Sequence, residues 1–335
     1  MTLAIARSAL AGITILAGAT ASIHAIAAPP TYRVEVHALA TLTLTSAQAR
    51  AGHEDGPATT IAGELRLPFG EAKRLPAVLM LHGDAGALAA QVVWTDDMNA
   101  LGIAVFTLDS FSARGAVATG ASLATMPGSV SSTARIVDAE RALSLLGAHP
   151  RIDPARIAVM GFSSGGRTAM LLAQTRFASR YGRPGVGFAA YIALYPDCNV
   201  HLRDDTRVEP GPQRVFIGEA DVLTDAGACT RYVARLKGAG ADVAITTYPG
   251  AHHAFDSRMG LELVRIPGVP IAARCNLEET TVGAIVNVDT GRELDDQDAC
   301  ITKGLIAGYD AAADAAARAA VRALLVERFA LTPPR

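Results

Sequence analysis

The sequence predicts an α/β fold in which a mostly parallel central sheet is flanked by helices on both faces. Three observations predict it. Short apolar runs such as Ala77–Leu81 are continuous rather than alternating, which suits strands buried on both faces. Segments with a helical apolar period fall between these runs, so strand and helix alternate as in βαβ units. One strand passes through a glycine-flanked turn directly into a helix, at Gly161-Phe162-Ser163-Ser164-Gly165.

Taken from the start, residues 1–27 read as a leader rather than as fold. Arg7 is their only charged residue, an apolar stretch runs from Ala9 to Ala19, and Ala25-Ile26-Ala27 has the A-x-A form of a signal-peptidase site. The stretch is short for the ~20 residues of a membrane span, and no later one is long and apolar enough. The remainder, 28–335, is expected to be one domain, because no linker or internal repeat divides it.

Tyr32–Thr45 and Thr59–Leu67 predict strands joined across a Gly/Asp/Pro turn. After Ala77–Leu81, further strands are expected over 103–108, 157–160, 189–194, 215–217 and 243–248. Ile136, Ala139, Leu143 and Leu146, spaced three, four and three apart, mark one face of a helix. Other helices are expected at Gly165–Gln174, Ala226–Leu236 and over the Ala-rich end, 308–329. The stretch 257–303 is less regular, with Pro267, Pro270 and a hairpin expected around Asp289-Thr290-Gly291. It reads as an insert that either covers the active site or decorates the surface.

Half the residues are hydrophobic and the formal net charge is −2. With no basic run or stripe, nucleic acid is not an expected partner. The chain has four cysteines, Cys198, Cys229, Cys275 and Cys300. An even number in an exported chain predicts disulfides, and the wide spacings lack the form of a zinc site. Of the three pairings, Cys198–Cys229 is favoured because the strands before these segments should be neighbours. Cys275–Cys300 would then bracket the hairpin of the insert.

The chemistry starts at Ser163. A serine on a sharp strand-to-helix turn, with small residues two before and two after it, projects its hydroxyl above the sheet at a helix N-terminus. It needs a base, and the base needs an orienting acid, in the chain order serine, acid, histidine. Three histidines follow it: His201, His252 and His253. His252 and His253 follow a late strand, at the sheet edge where such folds place ligands. His253 is favoured as base, with His252 as a loop or wall residue. Asp221, after the strand Val215–Ile217, is favoured as the acid over Glu219 and Asp225. The oxyanion donors are expected to be the backbone N–H groups of Ser164 and of Asp84, with Gly83 next. His82 is expected to be structural. Arg114 and Trp94 are candidates for substrate contact, each weighed against loop support or core packing. The mechanism calls for no metal and no cofactor.

Together these segments resemble the dienelactone hydrolase family. The matching pieces are Leu81-His82-Gly83, the run Leu108 to Gly115 reading LDSFSARG, Met160 to Gly166, Gly218-Glu219-Ala220-Asp221 and His253-Ala254-Phe255-Asp256. The resemblance spans roughly Thr59 to Asp256 and the final helix. It implies the α/β-hydrolase fold without a large cap domain, and Ser163, Asp221 and His253 as the triad. The name-giving enzymes use a cysteine nucleophile and this chain has serine, so the name denotes a relationship of fold.

The function expected is hydrolysis of a small-molecule ester or lactone through an acyl-enzyme on Ser163, in the periplasm or outside the cell. The alternatives are peptidase or acyltransferase chemistry by the same triad, or a catalytically silent binding protein. Oligomeric state is not legible.

Overall fold

The computed structural model describes residues 32–331, apart from 71–73, 87–88, 117–130 and 259–262. The expected signal peptide, 1–27, lies outside the described residues.

Strands β1 (Tyr32–Leu42) and β2 (Ala58–Pro68) form an antiparallel ladder, with helix α1 (Ser46–Ala51) between them. Sequence reading predicts only a turn there. The helix forms because Thr45 and Gln48 make a reciprocal capping box, each side chain bonding the other's backbone N–H. The chain continues through β3 (Leu75–Leu81), α2 (Ala89–Ala100), β4 (Ala104–Asp109), α3 (Ile136–Ala148), β5 (Ile152–Phe162), α4 (Ser164–Leu172), α5 (Thr175–Tyr181) and β6 (Ala190–Leu194). Then come β7 (Val200–His201), β8 (Gln213–Gly218), α6 (Ala226–Gly238) and β9 (Val243–Tyr248). The eight-stranded sheet has the order β1-β2-β4-β3-β5-β6-β8-β9. It is parallel from β4 to β9, and β2 joins β4 antiparallel.

The core shows why the apolar runs are unbroken. Val78 and Met80 of β3 pack on one face, with Trp94 and Met98 of α2, Tyr232 of α6 and Val321 of α7 (Ala311–Arg328). Leu79 and Leu81 pack on the other, with Val137 and Leu143 of α3 and Phe177 of α5. Alternate residues of one strand therefore enter two separate cores.

The insert carries β10 (Val264–Ile271), β11 (Leu277–Glu279), β12 (Ile285–Asn287) and β13 (Thr302–Ala307). β10 pairs antiparallel with β13, and β11 pairs with β12 and with β7 of the body. The turn at Asp289–Gly291 is present: Asn287 N–H bonds Arg292 O at 2.8 Å, and Gly291 takes a φ of 69°. Buried Glu279 docks the insert on the body through Arg176 of α5. Both expected disulfides are formed, Cys198–Cys229 and Cys275–Cys300. Among the described residues, no helix is long and apolar enough to cross a membrane.

Candidate active site

β5 ends at Phe162 and α4 begins at Ser164, so Ser163 takes up the change of direction. Its φ of 53° and ψ of −120° are strained for a residue with a side chain. Gly161 and Gly165 are what allow the turn. A Cβ on Gly161 would lie 2.0 Å from Gly165 O, and one on Gly165 would lie 2.3 Å from Leu81 O. Ser163 N–H bonds Leu194 O of β6 at 2.9 Å, which ties the turn to the sheet.

His253, after β9, brings Nε2 to 3.0 Å from Ser163 Oγ and Nδ1 to 2.8 Å from Asp221 Oδ2. Both side chains are buried. Asp221, after β8, also accepts from Leu223 N–H, Thr224 N–H and the Thr224 hydroxyl. Burial pushes its pKa up, but the charge and hydrogen bond of His253 and the bonds from Thr224 outweigh it, leaving the carboxyl below its usual range. A carboxylate there accepts Nδ1–H and leaves the Nε2 lone pair facing the serine hydroxyl.

The rival residues are engaged elsewhere. His252 Nδ1 lies 2.9 Å from Ala220 O. Glu219 accepts from the Thr247 hydroxyl, and Asp225 caps α6 by accepting from Ala228 N–H. His82 bonds Gly83 O through Nδ1 and accepts Ser110 N–H at Nε2. Burial, and then the Arg135 charge, push it down to about 4, so it is a neutral strut at ordinary pH.

Ser164 is the first residue of α4, where an N–H has no acceptor within its own helix. Asp84 and Gly83 line a cavity of about 560 Å³ together with Ser163 and His253. The other walls are largely apolar. The body contributes Phe162, Tyr195 and Leu223, and the insert contributes Val269, Pro270 and Leu305. The insert thus forms part of the wall of this cavity.

Two candidates for substrate contact fall away. Arg114 does not reach the cavity. Its guanidinium grips Asp138 at 2.8 and 2.9 Å and bonds Ser110 O and Leu42 O, because a buried cation must be fully paired. Trp94 is core: its indole N–H bonds Asp256 Oδ2 at 2.7 Å and Arg318 stacks on its ring. Sequence reasoning missed Tyr195. Its ring meets His253 edge-on at 4.7 Å between centroids, and its hydroxyl bonds buried Asp256 at 2.7 Å. Asp256 lay in plain view beside the histidine, but nothing in the sequence pairs it with Tyr195.

A second histidine–carboxylate group joins Glu35 of β1 to His37 and His149, with Glu35 Oε2 at 3.1 Å from each Nε2. His149 precedes β5 and Ser163 follows it, so this group sits at the opposite end of that strand. His149 Nδ1 accepts Arg151 N–H, which leaves Nε2 protonated toward Glu35. A metal ion at Nε2 would need the reverse tautomer.

A family model described as the dienelactone hydrolase family matches residues 62–279. Among solved structures, the chain is similar to a dienelactone hydrolase-like promiscuous phosphotriesterase from metagenomic libraries, with a TM-score of 0.56 and 18% identity. That match covers 88% of this chain and 98% of the other. It is also similar to an α/β-hydrolase enzyme from a Medee basin deep-sea metagenome library, at TM-score 0.51 and 18% identity, over 90% of this chain and 99% of that one. These likenesses share the fold described above. A sequence search of curated proteins finds no match.

Proposed function

Because the chain belongs to the dienelactone hydrolase family, and is thereby esterase-like, we propose that it cleaves carboxylic esters through an acyl-enzyme on Ser163. One observation carries the reading: the continuous contact from Ser163 Oγ to His253 Nε2, and from His253 Nδ1 to Asp221, with Ser163 and His253 lining a walled cavity.

The steps follow from those contacts. Ser163 Oγ attacks the ester carbonyl carbon while His253 Nε2 takes its proton. The C=O electrons move onto oxygen, where the N–H groups of Ser164 and Asp84 receive the charge. Asp221 stabilises the imidazolium, which then protonates the departing alkoxide. Water, deprotonated by the same histidine, attacks the acyl-enzyme and releases the acid. The apolar walls favour an uncharged, hydrophobic ester over a polar one. The two disulfides support export to an oxidising compartment.

A fluorophosphonate probe tests the nucleophile, because it labels only an activated serine. Labelling confined to Ser163, with turnover of p-nitrophenyl esters of graded chain length, is the expected result. A folded protein that neither reacts with the probe nor turns over any ester would refute the reading in favour of a silent binding protein.

A further inference from the structure

We propose that Arg135 is a positioning residue, clamping together the two backbone segments that would supply the oxyanion donors, Gly83-Asp84 and Ser163-Ser164. The inference rests on the acyl-transfer reading above. Arg135 stands at the start of α3 and is only 3% exposed. Its two terminal nitrogens diverge. Nη1 donates to His82 O at 2.8 Å, on the loop leaving β3. Nη2 donates to Ser164 Oγ at 2.8 Å, on the turn leaving β5. Ser164 Oγ–H in turn donates to Asp84 Oδ1 at 2.6 Å, which closes the circuit back to the β3 loop.

Charge balance points the same way. The neighbouring carboxylate Asp138 is already held by both terminal nitrogens of Arg114. Asp84, reached through the Ser164 hydroxyl, is the main counter-charge of buried Arg135. The guanidinium plane also lies against Phe111, with its carbon 5.2 Å from the ring centre, so it is wedged as well as bonded.

The reason for such a clamp is geometric. The two proposed donors belong to different strands' loops, yet both must aim at one oxygen. A misplacement of about 1 Å in such a site costs on the order of a hundredfold in rate. The clamp also gives the Ser164 side chain a task separate from that of its N–H, since the N–H alone would be supplied by almost any residue.

The test separates those two groups. Ser164→Ala keeps the N–H and deletes the hydroxyl link, whereas Arg135→Gln releases both arms. For p-nitrophenyl acetate, kcat is expected to fall about 10-fold in Ser164→Ala and about 100-fold in Arg135→Gln, with KM within about twofold. The rate at which a fluorophosphonate phosphonylates Ser163 falls in parallel, because the phosphoryl oxygen uses the same donors. The double variant loses no more than Arg135→Gln alone, since both changes open one clamp. Ser164→Ala, with its melting temperature measured alongside, carries the test if Arg135→Gln does not fold. Wild-type kcat and labelling rate in Ser164→Ala, losses confined to KM, or losses that multiply in the double variant overturn the proposal. A wild-type protein that reacts with neither ester nor probe instead overturns the underlying reading.

Discussion

Strand β3 buries all seven of its residues, whereas β10 of the insert buries one of eight. The difference follows from what covers each. β3 lies inside the sheet with helices on both faces, while β10 has a single partner strand. The two regions meet at one cavity but divide its work. The body supplies each atom of the proposed serine–histidine–acid contact, from strand ends anchored in the core. The insert supplies wall. Chemistry needs groups held to within about half an ångström, whereas an apolar wall needs only shape. The insert accordingly relies on a disulfide and on ion pairs at Glu279 rather than on a core of its own.

Substitutions in the body should therefore abolish turnover, and those in the insert should redirect it. The largest effect is expected from Ser163→Ala, with kcat down about 10⁵-fold or more at an unchanged melting temperature. His253→Ala should approach that loss, while His252→Ala, which frees only a bond to Ala220 O, should keep most activity. Comparable losses in the two histidine variants would break the assignment. Next is Asp221→Asn, expected to lower kcat by about 10⁴-fold by favouring the wrong histidine tautomer. Asp225→Asn exchanges one good helix cap for another and should leave kcat within about threefold.

In the insert, Leu305→Ala should enlarge the cavity and shift kcat/KM toward longer acyl chains by about tenfold relative to acetate, with kcat for acetate largely kept. An unchanged chain-length profile would mean that the wall does not contact substrate.

The smallest effect contrasts two buried glutamates. Glu279, which links insert and body, is pushed up by burial, but the Arg176 and Arg203 contacts outweigh this and hold it below its usual range. Glu140 of α3 has no side-chain hydrogen-bond partner among the described residues, and burial together with Glu209 raises it to about 8. Between pH 4.5 and 8 the unfolded chain has released the Glu140 proton while the folded one retains it, so stability falls as pH rises through that window. Glu140→Gln should accordingly stabilise at pH 8, on the order of 2 kcal/mol, with little effect near pH 4.5. Glu279→Gln has the opposite sign: the stability it removes is present above about pH 4.5 and fades as acid protonates the wild-type carboxyl. Thermal melts of the three proteins at both pH values would show whether the gain for Glu140→Gln grows with pH.

The body was legible because its signals are local. A strand buried on both faces must be apolar throughout, so β3, β4, β5, β6 and β8 stand out in the sequence. The serine turn needs glycines at 161 and 165, since backbone occupies the space of their side chains. The insert was less legible, since β11 and β12 have only three residues each and β10 is interrupted by Pro267, Gly268 and Pro270. Helix α1 was missed because its capping box occupies only Thr45 to Gln48 inside a stretch that also reads as a turn.

The sequence by itself determined the alternation of the central strands with helices α3, α4, α6 and α7, the place of Ser163 at a strand-to-helix junction, and a short list of partners for it. Only the tertiary structure shows which of those partners lies in contact with it. His252 and His253 are adjacent and chemically identical, as are the carboxylates of Asp221 and Asp225 in kind. What distinguishes them is the direction in which a loop leaves its strand, and that is set by contacts between residues far apart in the chain. The same holds for Arg114 and Arg135. Both are arginines beside buried acids, but folding turns one toward Asp138 and the other toward the Ser163 loop.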